Sequence, residues 1–70
     1  MKSKTFDLTG DYIELIKLLK KLLIAQSGAH AKLMVEKGEI TVNKKVEYRK
    51  RAKLRRGDLV ETLNYRILIK

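Results

Sequence analysis

The hydrophobic residues of this chain change their period once, near Glu39, and that change limits the fold more than any single motif does. Before it, Tyr12, Leu15, Ile16, Leu18, Leu19, Leu22 and Leu23 fall on one broad helical arc, with Glu14, Lys17, Lys20 and Lys21 opposite. After it, Ile40 and Val42 alternate with polar residues, Asn43 and Lys44 can turn the chain, and Val46 resumes beyond them as the second arm of a hairpin. Alternation returns in Leu59 to Leu63 and Arg66 to Ile69, two strands joined through Asn64 and Tyr65. Side chains repeat every two residues along a strand and about every 3.6 along a helix, so neither pattern serves the other element. A compact α+β domain follows, its helices segregated from a largely antiparallel sheet.

Element boundaries come from local chemistry. Thr5 to Leu8 has the makings of a short leading strand. Asp11 and Glu14 have the spacing of an N-cap and its reciprocal partner, which predicts a helix over Tyr12 to Ile24. Ser27 is a good N-cap for a second helix, Ala29 to Lys37, with Ala31, Met34 and Val35 inward and His30, Lys32, Leu33, Glu36 and Lys37 outward. Gly38 can end that helix in a left-handed conformation, and Gly57 with Asp58 marks a turn before the last strands. No proline, linker or repeat interrupts the pattern, so residues 1–70 are expected to form a single domain.

Charge narrows the function. Seventeen Lys and Arg against eight Asp and Glu leave a net charge of +9, a field that attracts polyanions. Six of those cations fall between Arg49 and Arg56, namely Arg49, Lys50, Arg51, Lys53, Arg55 and Arg56. Ala52 and Leu54 can anchor this stretch to the sheet while the alternate side chains face out as a ridge. Like charges so close repel one another, so a polyanionic partner explains them better than a merely solvated surface does. Lys17, Lys20 and Lys21 on the first helix and Lys32 and Lys37 on the second extend the basic surface, as do Lys44 and Lys45 at the hairpin tip. Tyr48 lies beside the ridge and can stack one base, whereas the other aromatic residues are too scattered to form a platform. The free N–H groups at the start of the second helix can hold a phosphate oxygen near Ser27, although capping alone accounts for that serine.

Other functional classes find little support. No nucleophile stands with a base and an orienting group, and no glycine motif cradles phosphate, so an enzyme is not expected. His30 is the only histidine and there is no cysteine, which leaves no ligand set for a metal and no call for a cofactor. His30 itself reads as a surface histidine. The most apolar segment, Leu15 to Ala25, is broken by Lys17, Lys20 and Lys21 and is too short to span a bilayer, so a cytoplasmic protein is expected. Membrane-surface binding ranks low because the apolar face of the first helix is needed for the core. The alternative to nucleic acid is an adaptor whose basic face holds an acidic protein in a ribosome-assembly or nucleic-acid-processing complex.

The ordered run KLLKKLLIAQSGAHAKLMVEKGEITVNKKVEYRKRAKLRRGDLVE resembles the RNA-binding domain of small-subunit ribosomal protein S-four, the alpha-L motif, and most of all the bacterial family in which that domain stands alone. QSGAHAK, GEITVN and RKRAKLRRGD, in that order, are its most specific pieces, and the resemblance covers Tyr12 to Glu61. It implies two helices on a small curved sheet and a basic face docking structured RNA, often ribosomal or transfer RNA; a monomer without catalysis is expected. Ser27, Lys32, Arg49, Lys50, Arg51 and Lys53 match positions on the family's RNA face. Charge adds Lys20, Lys44 and Lys45, while Arg55 and Arg56 are expected to act mainly through long-range attraction. The chain departs from the family at Glu14, Gly28 and Leu33, where many members have arginine, and at Ile16, where they have aspartate. Lys44 stands where a turn glycine is usual, which requires a different turn or a left-handed lysine.

Overall fold

A computed structural model describes all 70 residues. Seven strands and two helices follow in the order β1 (Lys2–Phe6), β2 (Ile13–Glu14), α1 (Leu15–Lys21), α2 (Gly28–Glu36), β3 (Thr41–Val42), β4 (Lys45–Val46), β5 (Lys53–Leu54), β6 (Leu59–Glu61) and β7 (Tyr65–Ile69). The main sheet has the order β1-β7-β6-β3-β4, antiparallel except for the parallel pair β1 and β7, and a separate antiparallel ribbon joins β2 to β5. The expected α+β arrangement with a mostly antiparallel sheet is therefore present.

One core joins these layers. Leu15, Leu18 and Leu19 of α1 and Ala31 and Val35 of α2 are buried together with Val60, Ile67 and Ile69 of the sheet. Val60 and Ile67 are cross-strand partners, so the alternation of β6 and β7 turns their apolar residues to the same side. The basic stretch contributes Ala52 and Leu54 to this same core, as its alternation predicts.

The second helix matches its sequence signals closely. Ser27 is its N-cap, with the hydroxyl accepting the His30 N–H at 3.1 Å, and Gly38 follows its C-cap at φ +74°. Gly38 and Glu39 donate back to Val35 and Met34, a Schellman closure. The first helix does not match. It begins at Leu15, Glu14 occupies its N-cap with no side-chain bond, and Asp11 and Tyr12 lie outside it. Residues 13 and 14 are extended because they pair with β5, and the Leu15 and Ile16 N–H groups donate to the Ala52 and Lys50 carbonyls at 2.9 and 3.3 Å. Tertiary carbonyls thus satisfy the donors a capping side chain would otherwise have served.

That helix also stops short of Ile24. Leu23 and Ile24 donate to Lys20 and Leu19, again a Schellman pattern, with Leu23 at φ 58° in the place glycine usually takes. Leu23 is 85% exposed rather than part of the core arc, and the turn it makes delivers Ala25 to the core instead. The leading strand lies at Lys2–Phe6, earlier than expected, because its register with β7 is set by pairing along Tyr65–Ile69. The hairpin turn keeps both central residues left-handed, Asn43 at φ 52° and Lys44 at φ 72°, so the lysine adopts the conformation that glycine would supply.

Candidate nucleic-acid interface

The ribbon of β2 and β5 builds the basic surface. Its register pairs Ile13 with Leu54 and Glu14 with Lys53, which sends Ile13, Ala52 and Leu54 inward and leaves Arg51, Lys53 and Arg55 exposed. Tyr12 and Glu14 alternate with buried Ile13 and stand on that outer side as well. The Lys53 ammonium lies 4.9 Å from the Tyr12 ring centroid and the Arg55 guanidinium 6.0 Å from it. Arg49, Arg51, Lys53 and Arg55 line one open hollow over Ala52. Arg51 also borders a second hollow, floored by Leu8 and Ile13 and edged by Lys17 and Lys21.

The ridge is less uniformly charged than its sequence. Arg49 is held by Glu47 in a two-pronged pair, Nε to Oε2 at 3.0 Å and Nη2 to Oε1 at 3.1 Å. Lys50 turns toward α2, where its Nζ lies 2.6 Å from Glu36. Arg51 donates its Nε to Glu14 at 3.1 Å. Arg56 keeps its full charge but is fixed in place: its guanidinium donates to the Leu8 and Gly10 carbonyls at 2.7 and 2.9 Å and ties down the loop between β1 and β2. Lys53 and Arg55 have no acidic partner.

The other candidate residues fall in three places. Lys32 is exposed on α2, one turn before Glu36 and on the same face, so the pair of Glu36 with Lys50 links it to the ridge. Ser27 is engaged as a cap at the opposite end of that helix. Lys20 is exposed on α1, but Lys17 and Lys21 are the α1 lysines that share a hollow with Arg51. Lys44 and Lys45 lie at the hairpin on the edge of the main sheet, with Lys44 drawn to Glu61 at 2.9 Å and Lys45 exposed. Sequence reasoning missed Tyr12 and Glu14. The signal was the alternation of Tyr12, Ile13, Glu14 and Leu15, which fits a strand as well as the helical arc to which it was assigned. It also missed the task of His30, whose Nδ1 accepts the Gln26 N–H at 3.0 Å and completes the α2 cap.

Two carboxylates are perturbed by these pairs. Hydrogen bonding to Arg49 holds the Glu47 carboxyl below its usual value, and the same contact raises Arg49. Hydrogen bonding to Lys44, with Arg66 adding to it, lowers Glu61. A depressed carboxylate stabilises the fold above its unfolded value, about 4.3, and that contribution is lost as pH falls through the lower folded value. Both pairs are intact at neutral pH. No group of three or more His, Cys, Asp or Glu side chains could hold a metal ion, and no helix is long and apolar enough to cross a membrane.

Comparison with known proteins identifies the family and the fold. The family model of the S4 domain matches residues 6–70. Among solved structures the chain is similar to YbcJ from E. coli, whose solution structure is described as revealing an alfaL motif involved in RNA binding. The two share 35% identity with a TM-score of 0.72, over 93% of this chain and 84% of that one. No curated protein matches.

Proposed function

The chain belongs to the S4 domain family, and from that premise we propose that it is a non-catalytic RNA-binding protein that docks structured RNA, ribosomal or transfer RNA, through the outer face of the β2 and β5 ribbon. The observation that carries this reading is the alternation of the basic stretch. Ala52 and Leu54 are buried while Arg51, Lys53 and Arg55 stand exposed on a backbone locked to the start of α1. A rigid row of cations suits a phosphate backbone, because contacts to phosphate set orientation and carry no sequence information by themselves. Structured RNA is recognised largely by shape and backbone, and the single Tyr12 on this face fits modest base specificity. In this reading residues 1–70 act as one unit, a monomer in the cytoplasm with no cofactor, and Ser27, Lys20, Lys32, Lys44 and Lys45 flank the central contacts.

Salt dependence tests the mechanism. If about five cations each neutralise one duplex phosphate, the log–log slope is about −4.5, and affinity falls several-hundred-fold between roughly 50 and 200 mM salt. A flat response would remove phosphate neutralisation as the driving force. Replacing Arg49, Lys50 and Arg51 together with alanine is expected to weaken RNA binding while the circular dichroism spectrum stays as it was. Retention of an acidic protein after thorough nuclease treatment, with RNA affinity unchanged in the triple variant, would instead favour the adaptor.

A further inference from the structure

We propose that Glu14 is a positioning residue for RNA: it fixes the Arg51 guanidinium so that its free edge grips one backbone phosphate. The proposal rests on the RNA-binding reading and assigns the grip to one arginine of the ridge. The three successive cations Arg49, Lys50 and Arg51 are all paired to carboxylates, but not equivalently. Glu47 neutralises Arg49 through a fork to Nε and Nη2, leaving Nη1 and one Nη2 hydrogen outside the pair. Glu36 meets the Lys50 ammonium through one oxygen at 2.6 Å and turns it toward α2. Glu14 engages only Nε of Arg51, and the two terminal nitrogens of that side chain, which is 78% exposed, have no partner within the protein. Those two nitrogens form a parallel pair of donors that matches two phosphate oxygens.

Glu14 is itself well placed to act as a fixed support. Its backbone is held in the ribbon opposite Lys53, and Arg51 is the diagonal neighbour two residues along, within reach of a long side chain on the same face. Its side chain is only 14% exposed, and its other oxygen lies 4.0 Å from the Lys17 ammonium. Holding one edge of an arginine in advance removes rotamer freedom that binding would otherwise have to remove. Arg51 also borders both hollows, so a phosphate it grips lies between them.

Charge and position make opposite predictions here. A carboxylate beside a phosphate site repels the ligand, so by charge alone its removal tightens binding. If Glu14 positions Arg51, loss of the acceptor weakens binding instead. The test is fluorescence anisotropy with a labelled RNA stem-loop at low salt. Glu14→Ala is expected to weaken binding about tenfold, a loss of about 1.4 kcal/mol. Glu14→Gln, which keeps an oxygen to accept from Nε, should bind at least as well as the wild type. In an Arg51→Ala background, Glu14→Ala should cost nothing further. Arg51→Lys keeps the charge without the fork, does not depend on altering the helix start, and should also lose about tenfold, more than Arg49→Ala loses. Tighter or unchanged binding by folded Glu14→Ala, or wild-type affinity in Arg51→Lys, overturns the assignment while leaving the RNA reading intact. A wild-type chain that does not bind the stem-loop overturns both.

Discussion

The two helices end by the same device and begin by different ones. α2 carries both of its boundaries in its own sequence: Ser27 caps its start, and Gly38 closes its end at a positive φ. α1 carries neither in recognisable form. Its first N–H groups are satisfied by carbonyls of Ala52 and Lys50, far along the chain, and its closing left-handed residue is Leu23. The difference teaches that α2 takes both boundaries from local sequence, whereas the first N–H groups of α1 are satisfied by the basic stretch. The coupling runs both ways, since the same hydrogen bonds that start the helix hold the backbone on which Arg51 and Lys53 are displayed. The proposed interface is therefore part of the tertiary structure rather than a tail attached to it.

The strongest challenge to this coupling is removal of its apolar anchor. Leu54 is fully buried in the ribbon, and Leu54→Ala is expected to cost about 2–5 kcal/mol. Against a stability of roughly 4–10 kcal/mol for a chain of this size, that brings the domain close to unfolding. Urea denaturation measures the loss. Hydrogen exchange sharpens the comparison: the Leu15 and Ile16 amides should lose more protection than those within α2, because only the former depend on the ribbon. Equal loss in both helices would mean that the two starts are not independently specified.

A paired exchange at the helix ends has a smaller effect and opposite signs. Gly38→Ala places a Cβ at φ +74°, and the strain is expected to cost about 1–2 kcal/mol. The nearest obstacle, the Tyr48 hydroxyl at 3.1 Å, belongs to an exposed side chain that can move, so backbone strain should dominate. Leu23→Gly relieves the same strain in α1 while sacrificing an exposed side chain, offset by the greater freedom of glycine in the unfolded chain. A net gain of about 0.5–1 kcal/mol is expected, read as a rise in the urea midpoint. A loss at Leu23 would show that its side chain contributes to packing despite its exposure.

The same contrast explains what was legible in the sequence. The change of period near Glu39 identified the fold class, and the cap at Ser27, the stop at Gly38 and the inward anchors Ala52 and Leu54 all stood as their local patterns predicted. These depend on nearest-neighbour chemistry or on simple alternation. The ribbon was hidden because Tyr12 to Leu15 satisfies two periods at once, and only its partner β5 decides between them. The unequal status of the ridge cations was hidden for the same reason: Glu14 and Glu36, which meet Arg51 and Lys50, are distant in sequence. The structural task of Arg56 was hidden because its acceptors, the Leu8 and Gly10 carbonyls, leave no trace in residue type. Ion pairs and backbone acceptors supplied across the fold are products of folding rather than of local pattern.

The smallest effect belongs to one of the two residues that sequence alone marked as helix caps, and the other is its control. Ser27→Ala removes an acceptor that α2 uses, and should cost about 1 kcal/mol. Ser27→Asp restores that acceptor, so it should recover the stability; if a phosphate sits at this helix start, the added negative charge should also weaken RNA binding. Asp11→Ala removes a side chain with equally good capping chemistry from an exposed position that no helix uses. Its effect on stability, read from urea denaturation, should stay within about 0.5 kcal/mol. A cost at Asp11 comparable to that at Ser27 would show that α1 frays back to its local cap when the ribbon opens, so that the two helices start more alike than their hydrogen bonds indicate. No cost at Asp11 places the start of α1 entirely with the Ala52 and Lys50 carbonyls, and makes folding of the basic stretch a condition for the first helix rather than its consequence.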